Sequence, residues 1–337
     1  MLLNYNGWKD TLECLDSLYR IQYPNWDLFL VDNGSEDESI SMLKKWVKGE
    51  ITAPHAPMIQ KKPLKYIDNF LEMDFDEINN KVNDFDILNQ KNLQNTLKLI
   101  KISKNRGFTG GNNVAIKYIL NSIKTDFIML LSNDVVVAPD FLDELIKQAV
   151  NDPKIGVLGP LVYHYHDSDR IQSAGGEILW RKGEIIQKNR GEIKYQREAE
   201  VDSVDYITGC LLMARKEVFL DIGLLKEEYV AYWEDVEWCV RAKKAGYKIV
   251  CVPQAQIWHK ESITTKKSSG FVEYHYVRNR LWFLREHTSF KDKYIFFLNF
   301  IFVQIIYLIF YAVIRQKDLK LLSYYLKGTM DGLFKNP

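Results

Sequence analysis

Leu28-Phe29-Leu30-Val31-Asp32-Asn33-Gly34-Ser35 is the stretch on which the fold turns. Four consecutive apolar residues read as a strand buried on both faces, and the polar run behind them closes it in a turn. Upstream, Leu2-Leu3-Asn4-Tyr5 reads as a shorter buried strand with Asn6-Gly7 as its turn. The chain begins almost inside that strand, so it is expected to be short. Trp8 to Leu18 then has helical spacing, with Leu12, Leu15 and Leu18 on one face. Downstream, Ser35 reads as the N-cap of a helix reaching about Lys48, with Glu38 at the capping-box position. Strand, helix, strand, helix is the rhythm of a parallel sheet. Such sheets bind ligands beyond the carboxyl ends of their strands. Asp32 stands at one such end, where it either meets a ligand or closes the turn.

Residues 50–96 break the rhythm. They are rich in Lys, Asp and Asn and read as an insertion, within which Ile67, Phe70, Leu71, Phe75 and Ile78 suggest an amphipathic helix. The rhythm resumes with the alternating strand Leu97 to Ile102. Asn105-Arg106-Gly107-Phe108-Thr109-Gly110-Gly111-Asn112-Asn113 then opens a helix. A glycine-rich loop ahead of a helix can aim backbone N–H groups at a phosphate, and Arg106 adds a cation. The same glycines can equally be plain turn residues, and the spacing matches neither common phosphate-loop pattern. Phe127 to Leu131 is the most apolar strand, as expected at a sheet centre, and it ends in Ser132-Asn133-Asp134. Two strands therefore deliver an aspartate at their carboxyl ends. A carboxylate there can hold a hard divalent cation that bridges phosphate oxygens; the alternative is an Asn-Asp turn.

A helix follows Pro139 as far as Val150. Gly156 to Tyr163, Ile178 to Ile186 and Val204 to Ala214 read as strands of a more antiparallel second part, the last carrying Thr208-Gly209-Cys210. In Tyr232-Trp233-Glu234-Asp235-Val236-Glu237-Trp238-Cys239-Val240-Arg241, two acids open a helix. Its apolar face is Val236, Cys239 and Val240, and Glu237 pairs with Arg241 at i, i+4. Glu234 and Asp235 either cap that helix or serve a ligand. Ile249 to Pro253 is a strand, followed by Ile257-Trp258-His259, whose histidine is either a structural hydrogen-bonding residue or a ligand.

The formal charge of +1 gives no electrostatic case for a nucleic-acid partner. Cys14, Cys210, Cys239 and Cys251 form no C-x-x-C pair, which argues against a zinc or redox motif and suits a reducing compartment. Tyr294 to Ile314 is apolar except for Asn299 and Gln304, long enough to span a bilayer. Basic residues flank it on both sides, from Arg285, Lys291 and Lys293 to Arg315, Lys317 and Lys320. A helix lying in the interface, or one that enters and returns, fits those charges better than a span. A buried helix or an oligomer interface is the other reading.

Taken in order, Leu3-Asn4-Tyr5-Asn6-Gly7, Val31-Asp32-Asn33-Gly34-Ser35, the 105–113 loop, Ser132-Asn133-Asp134, Thr208-Gly209, Trp233-Glu234-Asp235-Val236-Glu237 and Trp258-His259 resemble the inverting glycosyltransferase family 2, above all its rhamnosyltransferase-like branch. The resemblance runs from residue 2 to about 285. It implies an α/β chain of the GT-A fold, a Rossmann-like nucleotide-diphospho-sugar transferase with a mostly parallel central sheet. The catalytic domain would occupy 1–270, with 50–96 inserted, and 271–337 would form a helical, membrane-associating region. The implied activity is inverting and metal-dependent, with Mg²⁺ or Mn²⁺ as cofactor. It moves a sugar from TDP-rhamnose or a UDP-sugar to a glycan or lipid-linked acceptor in surface polysaccharide synthesis. It would work at the cytoplasmic face of the membrane, and a homodimer is compatible with it.

Residue by residue, the resemblance gives Tyr5 and Asp32 to the nucleoside of a nucleotide-sugar donor, and Arg106 with Gly107 to its diphosphate or ribose. Asn133 and Asp134 stand where the family has a D-x-D-type motif, with Asp134 and His259 as metal ligands. Asp235 matches the general base. Thr208, Gly209, Trp233, Glu234 and Arg278 fall on the acceptor side. Glu234 would raise the proton affinity of Asp235 by like-charge repulsion. A non-catalytic, membrane-attached relative that binds a nucleotide sugar or scaffolds an assembly is the competing reading.

Overall fold

A computed structural model describes residues 1–60, 67, 69–77, 79–83, 96–193, 200–261, 270–300 and 319–337. Its first half runs β1 (Leu2–Asn4), α1 (Trp8–Leu18), β2 (Leu28–Asn33), α2 (Ser39–Val47), β3 (Asn69–Asp76), β4 (Lys81–Asn83), β5 (Thr96–Ile102), α3 (Gly107–Ser122), β6 (Phe127–Ser132), β7 (Val135–Val137) and α4 (Phe141–Asn151). The second half adds β8 (Ile155–His164), β9 (Ile171–Ser173), β10 (Gly176–Leu179), β11 (Glu184–Gln187), β12 (Asp202–Ser203), β13 (Leu211–Arg215), α5 (Lys216–Ile222), α6 (Glu234–Lys244) and β14 (Lys248–His259). Three helices close it: α7 (Phe271–His287), α8 (Phe290–Asn299) and α9 (Leu319–Phe334).

One sheet organises the molecule, in the order β12-β14-β8-β13-β6-β1-β2-β5-β3-β4, with β7 on β14 and β9 on β8. From β6 through β1, β2 and β5 to β3 all pairings are parallel. β13 runs antiparallel to both β6 and β8 and joins the two halves. Successive side chains of a strand face opposite ways, and β2 shows the result. Phe29 and Val31 enter a core shared with α3, α5, α6 and α7, whereas Leu28 and Leu30 enter a second core with α1, α2 and α4. The chain is thus three layers, helices on both faces of a sheet.

Five local expectations change. Ser35 does not cap α2. Its Oγ accepts from Asn6 N (3.0 Å) and Asn4 Nδ2 (3.1 Å), and the helix begins at Ser39, whose N donates to Asp37 Oδ1 (2.9 Å). The expected amphipathic helix around residue 70 is strand β3. Leu71, Met73 and Phe75 alternate onto one core and Phe70 meets the other, while Glu72 and Asp74 pair with Lys101 on neighbouring β5. Ile78 lies outside the described residues. Ile178 to Ile186 is a hairpin, β10 and β11, turning at Gly183 (φ 61°). Val204 to Ala214 is interrupted before β13, leaving Thr208-Gly209 off the ladder, which ends where the Cys210 carbonyl accepts from Ser132 N (2.9 Å). Ile249 to His259 is one strand, in which a register shift between Val252 and Gln256 absorbs Pro253, a residue with no N–H to give.

The first of the C-terminal helices packs into the body of the sheet. Leu281, Phe283 and Leu284 of α7 are fully buried in the first core. Helix α9 lies along α7, with Tyr274 Oη donating to Asp331 Oδ2 (2.7 Å) and Trp282 Nε1 to the Lys335 carbonyl (3.0 Å). Of the apolar run 294–314, residues 301–314 lie outside the described residues. Among the described residues, no helix is long and apolar enough to cross a membrane.

Candidate active site

The carboxyl ends of β1, β2 and β6 lie side by side, since Asn4 is in register with Asp32 and Leu3 with Ser132. Asp32 is buried and accepts from Asn4 Nδ2 (2.8 Å) and Ser35 N (3.1 Å). With Tyr5, Ser35, Lys101 and Asn105 it lines a cleft of about 400 Å³. The two residues expected at a nucleoside therefore share one cavity beyond the sheet edge.

Asp134 and His259 also meet, across the β7–β14 pairing. Asp134 Oδ1 lies 3.3 Å from His259 Nε2. His259 Nδ1 donates to Gln172 Oε1 (2.7 Å), which leaves Nε2 to face the carboxylate and fixes the ring, as a partner behind a metal-ligating histidine does. Two ligands at right angles about 2.1 Å from an octahedral Mg²⁺ lie about 3.0 Å apart, so this pair fits a divalent ion. One carboxylate and one imidazole would make a partial ligand set for such an ion, with positions left open. Asn133 does not join them. Its Nδ2 donates to Thr11 Oγ1 (3.0 Å) and lies 3.4 Å from both Asn4 Oδ1 and the Gly7 carbonyl. An amide suits that ring of oxygens, which a carboxylate would repel, so Asn133 shapes the β1–α1 loop instead of extending the ligand set.

Opposite this edge stands the head of α6. Asp235 Oδ2 accepts from Gly209 N (2.8 Å) and Oδ1 from Val236 N (2.8 Å). The break between β12 and β13 makes this contact available, because Gly209 N points at a carboxylate and not along the sheet. Next to Gly209, Thr208 Oγ1 lies 3.0 Å from Cys210 Sγ. Burial pushes the Cys210 thiol up to about 12, and the charges of Asp134 and Asp235 both add to the rise. The Cys210 carbonyl in turn accepts from Ser132 N (2.9 Å), which ties Gly209, and the Asp235 it holds, to the end of β6 that leads into Asp134. Burial also raises the Asp235 carboxyl, against the amides of Gly209, Val236 and its own residue, which favour the ionised form. Glu234 is 6% exposed, and its Oε2 has no hydrogen-bond partner among the described residues. Burial first, and the neighbouring Asp235 charge second, raise it well above the carboxylate range. The expected repulsion thus falls on Glu234, while backbone N–H groups oppose the rise at Asp235.

Several other expected residues are turned inward. Trp233 is buried, its ring 5.1 Å from that of Phe283 and 5.8 Å from Tyr276, so it supports the site from the core. Arg278 is buried as well and donates to the carbonyls of Glu228 (2.8 Å) and Tyr229 (3.3 Å), which leaves it no role as an exposed acceptor cation. Arg106 pairs with Glu77 (3.0 Å) and Glu227 (3.3 Å). The N–H of Gly107 goes to Asn105 Oδ1 (2.8 Å) and that of Thr109 to the Val230 carbonyl (3.1 Å). The glycine loop therefore does not form a phosphate cradle. It braces the loop before α6, and Gly107 (φ 71°) allows a contact in which a Cβ would stand 2.6 Å from Val230 Cγ1. Sequence reading missed Gln172, which sits in a three-residue strand with no motif around it. It also missed the structural use of Asn33, whose Oδ1 accepts from Arg106 N (3.0 Å).

A parallel sheet edge with a nucleoside-sized cleft and a carboxylate–imidazole pair, faced by a carboxylate on a second-half helix, defines a sugar transferase of the GT-A type. The solved structures agree on the fold. The TarS 1-349 fragment of S. aureus in complex with UDP-GlcNAc matches all of this chain and 80% of its own, at 14% identity and a TM-score of 0.56. The mannosyltransferase PcManGT of Pyrobaculum calidifontis in complex with GDP-Man and Mn²⁺ matches all of this chain and 86% of its own, at 13% identity and a TM-score of 0.54. The chain belongs to glycosyltransferase family 2: the profile described as "Glycosyltransferase like family 2" matches residues 79–280, and "Glycosyl transferase family 2" matches 2–69. Among curated relatives, the low-salt glycan biosynthesis hexosyltransferase Agl10 of Haloferax volcanii is 26% identical over 56% of this chain and 60% of its own length. The N-acetylglucosaminyl-diphospho-decaprenol L-rhamnosyltransferase of Mycobacterium tuberculosis is 29% identical over 42% of this chain and 48% of its own. The dTDP-rhamnosyl transferase RfbF of Shigella flexneri is 23% identical over 56% and 63%. The chain thus spans less than two thirds of the length of each.

Proposed function

We propose that this chain transfers a hexose or rhamnose from a TDP- or UDP-sugar to a glycan or lipid-linked acceptor in surface polysaccharide synthesis, with inversion at the anomeric carbon. The observation that carries the reading is that Asp235, held by Gly209 N, is tied through the Cys210 carbonyl and Ser132 N to the strand end carrying Asp134, which meets His259. The named activities of the relatives support the choice of donor and acceptor. In a single displacement, the acceptor oxygen bonds to the anomeric carbon as the bond to the nucleoside diphosphate breaks, and the acceptor proton leaves. Asp235 takes that proton; its raised affinity suits a general base better than an ordinary aspartate. Tyr5 and Asp32 hold the nucleoside, Asp134 and His259 hold Mg²⁺ or Mn²⁺, and Gln172 keeps the imidazole oriented. When bound, that ion supplies positive charge against the diphosphate as it departs. Thr208 and Gly209 border the acceptor.

The test is transfer by the Asp235→Asn variant, assayed with a panel of TDP- and UDP-sugars and polyprenyl-diphosphate acceptors. A loss of about 10²- to 10⁴-fold is expected, with nucleotide binding intact. Transfer at the wild-type rate would show that Asp235 is not the base. Thermal shifts with TDP and UDP, with and without Mn²⁺, test the donor side. A shift without turnover on any acceptor would favour a binding or scaffolding role.

We further propose that the chain works on the cytoplasmic face of a membrane. Phe290, Tyr294 and Leu298 are exposed at i, i+4 and i+8 on α8, and Leu326, Met330 and Phe334 repeat that spacing on α9. Lys291, Lys293, Lys320 and Lys327 lie close to them in sequence. Apolar stripes with basic neighbours suit an interface with anionic lipid.

A further inference from the structure

The loop that leads into α6 has a backbone that its residues resist. Val230, Tyr232 and Trp233 have φ of 63°, 68° and 70°, the left-handed region that β-branched and bulky side chains avoid. Such a loop persists only where its surroundings over-determine it. Two consecutive residues of α7 do this. Asn279 is fully buried, and its Nδ2 donates to the carbonyls of Tyr229, Ala231 and Tyr232, each at 2.8 Å. Arg278 Nη2 reaches the carbonyls of Glu228 and Tyr229, and its Nε donates to Asn279 Oδ1 (2.9 Å). The guanidinium is itself held over the Trp282 ring at 4.2 Å and the Tyr274 ring at 5.2 Å. From the other side, the Val230 carbonyl accepts from Thr109 N.

The consequence reaches Asp235 through two bonds. The Trp233 carbonyl, at the end of the strained run, accepts from Glu237 N (2.8 Å), which opens the helical bonding of α6. Two residues after Trp233 stands Asp235, against Gly209 N. The direction in which α6 leaves the loop therefore sets where this carboxylate lies.

We propose that Arg278 and Asn279 are positioning residues for acceptor deprotonation, holding Asp235 in place through loop 228–233. The proposal rests on the reading of Asp235 as the base. Neither residue touches the reacting atoms, and the donor cleft at β2 and β5 is built without them. An Asp at 279 would set an oxygen against three carbonyl oxygens, and an Ala would remove the one donor that the three share. Either change lets residues 230–233 relax and turns the head of α6.

The experiment uses the full chain with Asn279→Ala and Arg278→Lys, each made alone and with Asp235→Glu, which keeps a carboxylate but displaces it. Asn279→Ala should lower kcat by about 10- to 100-fold, the scale expected when a reacting group is misplaced by about 1 Å. Nucleotide affinity, from titration calorimetry with TDP or UDP, should stay within about twofold, and the Asn279→Ala loss should shrink when Asp235→Glu is already present. The proposal is overturned if kcat is unchanged, if nucleotide affinity falls in step with kcat, or if the loss is the same in both backgrounds. Arg278→Lys keeps the charge and should show the same pattern at smaller size, so it decides the matter by the same criteria where Asn279→Ala does not fold. Failure of the base assignment reads out separately, as full activity in Asp235→Asn.

Discussion

Glu234 and Asp235 are adjacent carboxyls with opposite fates. Asp235 is held by backbone N–H groups that favour its charge, whereas Glu234 is buried with an oxygen lacking a partner. Burial and the Asp235 charge both raise Glu234, with no hydrogen bond to its Oε2 among the described residues to oppose them. In the unfolded chain Glu234 titrates near about 4.3; in the folded chain it holds its proton to higher pH. Between those limits the folded state binds the extra proton, so this residue's contribution to stability falls as pH rises. Glu234→Gln removes that dependence, and urea melts should show the variant gaining on the wild type as pH goes from about 5 to 8. Parallel curves would mean that Glu234 is ionised in the fold. Asp32, Asp134 and Asp235 could be picked out from sequence because each ends a strand or starts a helix beside a recognisable motif. Gln172 could not, because its role depends on a strand pairing that no local pattern announces. Arg278 could be noticed but not understood, since a buried and an exposed arginine look alike in sequence.

At the scale of elements, α3 is a brace as much as a helix. Its first residue has a left-handed backbone and sits against Val230, with room for no more than a hydrogen. Gly107→Ala should destabilise the fold by about 1–3 kcal/mol, the cost of a left-handed non-glycine residue, read as a lower urea midpoint with an unchanged slope. A midpoint within error of the wild type would show that α3 and the 230–233 loop can part freely. The parallel half of the sheet was legible because each strand is a compact apolar run followed by turn residues. β3 was not. Its apolar positions 67, 70, 71 and 75 satisfy a helical period as well as they satisfy a strand, and only the parallel pairing with β5 decides between them. Ile178 to Ile186 reads as a strand because Gly183 is the only glycine or proline inside it.

For the molecule as a whole, the C-terminal helices serve two surfaces. α7 faces inward to the catalytic core, while α8 and α9 leave Phe290 and Phe334 exposed at 89% and 75%. If those stripes meet lipid, Phe290→Glu with Tyr294→Glu should reduce co-sedimentation with phosphatidylglycerol vesicles by about tenfold or more, since each large apolar side chain contributes about 1.5–3 kcal/mol on burial. Melting temperature should be unaffected, because both side chains are exposed. Unchanged sedimentation would remove membrane contact through α8. Truncation before α9 is a poorer test, because it would strip the helix that packs on α7.

The grip of Asn279 on loop 228–233 also bears on how the protein is made. The loop cannot be held in its strained shape until residues some fifty positions further on have been synthesised and folded against it. β1, at the other end of the chain, must by then be seated between β2 and β6. Contacts so distant in sequence form late and slowly. The residues that line the cleft at β2 and β5, from 5 to 105, are synthesised much earlier. During synthesis, then, the growing chain would acquire the means to hold a nucleotide well before its base is aligned.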